Sequence, residues 1–257
     1  MLSAVVTAAA AVFVYMTAVF LAALLRKDNS IVDIAWGPGF LLVALVTILQ
    51  GPGIVVRQGL ACGLVSIWGL RLAAHIYSRN RGRSEDFRYA KWRREWGRSF
   101  ILRSYFQIFM LQGIFMLLIS SPLILLNRSS ERGLKPLDAL GAGVWLVGFL
   151  FEAVGDHQLK IFKSKPENKG RIMTSGLWRY TRHPNYFGEA AMWWGVWLVS
   201  LSVDSGCAGI ISPLSITFLL LRVSGVTMLE RKYAGNPEFA SYARRTSSFF
   251  PLPPRKT

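Results

Sequence analysis

A chain of 257 residues that is 52% hydrophobic, with a mean hydropathy of +0.35, is too apolar for an ordinary soluble domain. The formal charge of +16 calls for an anionic partner, but its cations gather in a few connections between apolar runs, which fits a membrane surface and not nucleic acid. Two cysteines exclude a disulfide framework, and three histidines without Cys/His spacing offer no metal site.

The apolar runs predict seven membrane helices, near 2–25, 31–50, 54–77, 101–126, 136–155, 186–203 and 207–228. The fold class expected is an all-α integral membrane protein, one domain over 1–257, with a cofactor pocket on the cytoplasmic side. The first run lacks a basic leader and is too long for a signal peptide, with Arg26-Lys27 directly after it. Alternate connections, 26–30, 78–100, 156–185 and the tail from 222, hold 24 of the 30 Lys and Arg. That asymmetry predicts an outside N-terminus and a cytoplasmic C-terminus.

The first helix carries no polar group of functional weight. The second opens with Ile-Val-Asp-Ile-Ala-Trp-Gly-Pro-Gly-Phe, where Pro38 between Gly37 and Gly39 removes a backbone bond. Asp33 there either faces a cavity or caps a helix end. In the third helix Trp68, Arg71 and His75 share a face. Arg71 either snorkels or pairs with Asp33 or a ligand anion. After Arg79-Asn80-Arg81-Gly82-Arg83, Ser84 is the expected N-cap of an interfacial helix with Tyr89, Trp92 and Trp96 on one side. Gln107 and Gln112 of the fourth helix are packing groups. The fifth continues through Glu152, Asp156, Lys160 and Lys163 as one polar stripe.

The stretch Gly-Leu-Trp-Arg-Tyr-Thr-Arg-His-Pro-Asn-Tyr-Phe-Gly-Glu, Gly176 to Glu189, organises the rest. Pro184 suits the first turn of a helix, and Asn185 and Glu189 share its face. Beyond the seventh helix Arg222, Val226, Glu230 and Tyr233 also share one. Polar groups of both signs at the same ends of several helices predict a pocket for a polar cofactor, reached by a hydrophobic substrate from the bilayer. A dinucleotide needs cations for its phosphates, which Arg179, Arg182 and His183 supply, and amide partners, which Asn185 and Glu189 supply. The chain has no Gly-rich Rossmann or P-loop fingerprint.

Asp156-His157-Gln158-Leu159, Asn168-Lys169-Gly170, Gly176 to Glu189, Ser224-Gly225-Val226, Leu229-Glu230 and Tyr242 to Pro251 resemble the membrane steroid 5-alpha-reductase superfamily. The likeness is to its bacterial branch, the domain of unknown function 1295 group, and implies a bacterial inner membrane. It implies an NADPH site using Asp156, Tyr180, Asn185, Glu189, Arg222 and Arg83. Glu230 stands where steroid reductases tend to have Tyr. Their Gln-Glu pair in helix two is missing, with Asp33 and Trp36 in that region and Trp68 near their Tyr.

The function expected is NADPH-dependent hydride transfer to the C=C of an enone in a steroid-like or isoprenoid lipid. The candidate catalytic residues are Asp33, Glu189 and Tyr180, with Asp33 as a neutral acid at the carbonyl. The cofactor candidates are Arg71, Arg83, Asp156, Lys160, Arg179, Tyr180, Arg182, His183, Asn185, Glu189, Arg222, Glu230 and Tyr233. The alternatives are an S-adenosylmethionine-dependent methyltransferase acting on a lipid or prenylated thiol, and a non-catalytic lipid-binding membrane protein. The expected partners are the lipid substrate and membrane lipids.

Overall fold

The computed structural model describes residues 2–53, 55–131, 133–223 and 225–255. Ile54 (the expected start of the third helix), Arg132 of the outer connection, Ser224 of the tail motif and Lys256 lie outside the described residues. The helices in chain order are α1 Leu2–Arg26, α2 Ile31–Ile48, α3 Val56–Asn80, α4 Phe87–Trp96, α5 Phe100–Arg103, α6 Leu111–Ile119, α7 Ser121–Leu126 and α8 Pro136–Ser164. They continue as α9 Pro184–Ser200, α10 Ile211–Phe218, α11 Val226–Lys232 and α12 Pro237–Arg245. Wider π-helical turns join α5 to α6, at Ser104–Met110, and follow α10, at Leu219–Val223. Among the described residues the only strand-like pairing is one parallel bridge, Thr181 to Ser247.

Six helical runs are long and apolar enough to cross a membrane: Leu2–Arg26, Ile31–Leu49, Val56–Asn80, Phe87–Ile119, Pro136–Ser164 and Gly206–Arg231. They mark a multi-pass membrane protein. The seventh span expected, 186–203, forms only the 17 residues of α9. At 1.5 Å per residue that reaches about 26 Å, short of a hydrocarbon core of about 30 Å. The expected cap of α4 also moves: Asp86, not Ser84, is its N-cap, and its carboxylate accepts the Arg88 N–H at 3.0 Å.

The chain divides into two compact units, Met1–Asp138 with Val199–Ser212, and Ala139–Leu198 with Pro213–Thr257. In the first, α1 buries Ala4, Ala8, Val12, Met16 and Phe20, a stripe repeating every four residues along one helical face. Helices α2 and α3 touch at Gly37 and Gly69, where a Cβ on Gly37 would lie 2.2 Å from the Gly69 carbonyl oxygen. Trp36, Phe40 and Trp68 pack edge to face beside that crossing, with ring centroids 5.1 and 5.4 Å apart.

A buried ion pair closes one end of this unit. Arg57 and Asp138 are 2% and 1% exposed, and Arg57 Nε donates to both carboxylate oxygens at 2.9 and 3.0 Å. The same guanidinium donates to the Gly133 carbonyl at 2.6 Å, while Asp138 also accepts the Lys135 N–H at 2.6 Å. Neighbouring Gln58 donates to the carbonyls of Ser129 and Leu126. Every polar group this end buries on Arg57 therefore has an acceptor, which is the condition for burying charge.

In the second unit α8 and α9 approach through glycines seven apart: Gly141, Gly148 and Gly155 on α8, Gly188 and Gly195 on α9. A Cβ on Gly188 would meet the Gly148 carbonyl oxygen at 2.4 Å and the Glu152 amide nitrogen at 2.5 Å. One on Gly195 would meet the Gly141 oxygen at 2.6 Å. Small residues let backbones touch where lipid provides no hydrophobic drive for helix association. This contact sets the depth at which Glu152 meets α9 and Asp156 meets Asn185.

Candidate functional site

The stretch from Gly176 to Glu189 is fixed from both sides within the second unit. Residues of α8 hold its beginning. Gln158 Oε1 accepts the Leu177 N–H at 3.0 Å, and Trp178 Nε1 donates to the Gly155 carbonyl at 3.1 Å. Gly176 has φ +62 and a Cβ there would lie 2.5 Å from Gln158 Oε1, so both backbone and space demand glycine. The C-terminal tail laces the other side. Tyr242 donates to the Trp178 carbonyl, Thr181 Oγ1 to the Phe249 carbonyl at 2.8 Å, and the Arg182 N–H to the Ser247 carbonyl at 2.9 Å. Leu252 N–H returns to the Tyr180 carbonyl at 3.0 Å, and Phe187 packs against Phe249 and Phe250. Burial pushes the Tyr242 hydroxyl above its ordinary range, so it stays a donor.

Arg182 and His183 converge on Glu230. Arg182 Nε and one terminal nitrogen reach the two Glu230 oxygens at 2.8 and 3.1 Å, and the other terminal nitrogen donates to the carbonyls of Thr246 and Ala243 at 2.5 and 3.0 Å. His183 Nε2 lies 3.1 Å from Glu230 Oε1, and its ring stacks on Tyr186. Arg182, expected to hold phosphates, is here committed to a carboxylate and to the tail, and His183, expected to do the same, lies against that carboxylate. Arg179, Lys160 and Arg222 are exposed. Arg222 sits in the π-helical turn Leu219–Val223 and Glu230 in α11, so the single helical face expected for Arg222, Val226, Glu230 and Tyr233 is broken by a change of pitch. Tyr233 stacks on Phe239 at 5.1 Å, and Tyr180 is half exposed.

Pro184 opens α9 as expected, and the Phe187 N–H closes the first turn on the His183 carbonyl at 3.0 Å. Asn185 Nδ2 donates to Asp156 Oδ1 at 3.2 Å. A carboxylate accepts and cannot donate, which fixes the amide's orientation. The Asn185 carbonyl oxygen is then buried with no hydrogen-bond partner among the described residues. Such an orphan acceptor is costly, and a ligand donor relieves it. Glu189 follows one turn later, half-buried.

In the first unit Asp33 is not a helix cap, since Ser30 holds that position of α2. Its Oδ2 accepts from Arg88 at 2.6 Å and its Oδ1 from the Tyr89 hydroxyl at 2.6 Å. Each oxygen thus has its own donor, one a guanidinium and one a phenol. The guanidinium of Arg88 thus pairs with Asp33. Arg88 Nε also reaches Asp86 at 2.9 Å, and the Asp86 N–H donates to Ser30 Oγ at 2.7 Å, docking the start of α4 onto the start of α2. Arg83 is exposed after Gly82, whose φ is +73, and Arg71 is half-buried within α3. Sequence reasoning missed Arg88 and Tyr89 as partners of Asp33. Their one available signal was position, at the first turn of the amphipathic helix where a chain entering the interface brings side chains inward.

The family described as "Protein of unknown function (DUF1295)" matches residues 19–246. The chain belongs to this family. It is 37% identical over 69 residues to "3-oxo-5-alpha-steroid 4-dehydrogenase 1" of Homo sapiens, covering 27% of each chain. It is 34% identical over 87 residues to "Probable O-methyltransferase ustE" of Ustilaginoidea virens, covering 34% of this chain and 28% of that one. An uncharacterized protein of Schizosaccharomyces pombe is 26% identical over 200 residues, 67% of this chain and 57% of the other. The chain thus spans about a quarter of the length of the reductase and methyltransferase relatives it matches. No solved structure matches it.

Proposed function

We propose that this DUF1295 protein is a membrane reductase that takes NADPH and acts on the C=C of an enone in a steroid-like or isoprenoid lipid. The observation that carries the reading is the buried Asn185 carbonyl oxygen, on an amide whose nitrogen donates to Asp156, with no donor of its own among the described residues. A nicotinamide carboxamide offers the missing N–H, and Asn185 with Asp156 and Glu189 would hold it. Exposed Arg179, Lys160 and Arg222 are the cations left for its phosphates, since Arg182 and His183 brace the stretch through Glu230. When bound, the dinucleotide supplies the hydride. Asn185→Ala removes the acceptor and should weaken NADPH binding about tenfold or more, at a typical hydrogen-bond worth of about 1–2 kcal/mol. NADPH titration of the two proteins checks this, and equal affinities would contradict it.

In the first unit the Tyr89 hydroxyl gives its one proton to Asp33, which Arg88 also holds, so this cluster would serve turnover by fixing the start of α4 against α2 and not as a donor to substrate. Asp33→Asn, which weakens that docking, should lower turnover while NADPH affinity stays unchanged. Unaltered turnover would remove the cluster from the mechanism.

The methyltransferase reading has one observation of its own, the "Probable O-methyltransferase ustE" relative. It predicts S-adenosylmethionine binding and no NADPH binding.

A further inference from the structure

The acids near the cytoplasm-assigned end of the first unit are all engaged. Glu85 takes Arg93 and the Asn29 N–H, Asp86 and Asp33 take Arg88, Asp28 accepts the Ser30 N–H, and Glu95 lies 3.7 Å from Lys91. At the junction of α1 with α4 and α5, among the described residues, stand five cations with no acid within ion-pair distance: Arg26 and Lys27 at the end of α1, Arg94 and Arg98 on and after α4, and Arg103 ending α5. The two helices are tied together here, because Arg93 donates to the Lys27 carbonyl at 3.3 Å and Asn29 Nδ2 to Ser104 Oγ at 3.1 Å. Trp92 and Trp96 stack in parallel at 5.4 Å, Arg103 sits 5.9 Å from the Trp96 ring, and Arg93 4.1 Å from that of Phe100.

Two further observations say what meets these cations. Leu25 and Leu102 are 86% and 65% exposed, with Ile101 and Phe106 also exposed, so lipid-facing apolar surface begins where the charge ends. A soluble anion has no use for that surface, whereas an amphiphile with an anionic head matches both. Lys27 also stands at φ +53, the only non-glycine at positive φ among the described residues. It occupies the position after α1 where the Asp28 N–H reaches back to the Ala23 carbonyl, a place that favours glycine. The chain keeps a lysine there at a conformational cost, adding a charge to the patch.

We infer that the junction of α1 with α4 and α5 is a seat for an anionic phospholipid headgroup, of the phosphatidylglycerol type, with its acyl chains along Leu25, Ile101, Leu102 and Phe106. The test is thermal unfolding of the detergent-solubilised full-length protein, titrated with micellar phosphatidylglycerol, phosphatidylcholine or inorganic phosphate. Phosphatidylglycerol should raise the midpoint by several degrees, and half a molar salt should remove most of the rise by screening. Phosphatidylcholine and phosphate should not raise it. Arg94→Gln combined with Arg98→Gln and Arg103→Gln should raise the half-saturating phosphatidylglycerol concentration about tenfold or more. Lys27→Gly should raise the midpoint in phosphatidylcholine while weakening the phosphatidylglycerol response, so stability and lipid binding move in opposite directions. An equal rise with phosphatidylcholine, a response that survives the triple replacement, or one reproduced by phosphate alone, as for a soluble-anion site, would each overturn the inference.

Discussion

Replacing Gly188 by alanine should lower the stability of the protein by about 3 kcal/mol, the upper part of the range for overpacking a close contact. The added Cβ would lie 2.4 Å from one backbone atom of α8 and 2.5 Å from another, and neither can rotate away as a side chain could. The helices must separate, and the packing along Gly148 and Gly195 separates with them. Gly143→Ala, on the outer face of α8 with nothing within 4 Å of its Cβ, is the control. It should be neutral or stabilising by up to about 1 kcal/mol, through helix propensity alone. Thermal midpoints of the two variants decide the matter: similar midpoints would mean the glycines are not what brings α8 and α9 together.

Arg57→Met should cost a comparable amount, about 3–5 kcal/mol, because it leaves the Asp138 carboxylate buried without its cation. Arg57→Met combined with Asp138→Leu should regain part of that loss, since an apolar pair no longer carries a stranded charge. Recovery stays partial, because the Gly133 carbonyl and the Lys135 N–H lose their partners as well. Chemical or thermal unfolding of the three proteins measures the coupling. A double variant no more stable than Arg57→Met would show that the carbonyl and N–H contacts, not the charge pair, dominate this end.

Much of the architecture was legible in the residues. The spacing by four of Ala4, Ala8, Val12 and Met16, the aromatic row Tyr89, Trp92 and Trp96, and the helix start at Pro184 each follow from local periodicity or backbone chemistry. The length of α9 was not legible, because Leu201, Ser202 and Val203 continue an apolar run while the backbone already turns. There Ser200 Oγ donates to the Gly206 carbonyl at 3.0 Å and the Ser202 N–H to the Val199 carbonyl at 3.1 Å. The partners of Asp33 and Glu230 were hidden for another reason. Arg88 is 55 residues from Asp33, and Arg182 is 48 from Glu230, and charge type alone does not choose among the many arginines of so basic a chain. The glycines seven apart on α8 were visible in the residues. Their meaning needs the matching interval on α9.

The pairing of Arg182 and His183 with Glu230 changes what the central stretch does. Arg182 secures the fold through the tail, and on the proposed reading Asn185, directly after Pro184, is the group that would meet the cofactor. The most direct test of that account is thermal unfolding of the solubilised protein with NADPH, NADH or S-adenosylmethionine. A ligand that binds only the folded state stabilises it by about 2.7 kcal/mol at one hundred times its dissociation constant. A rise with NADPH that Asn185→Ala removes is the result expected. A rise with S-adenosylmethionine and none with NADPH would contradict the reductase and establish the methyltransferase in its place.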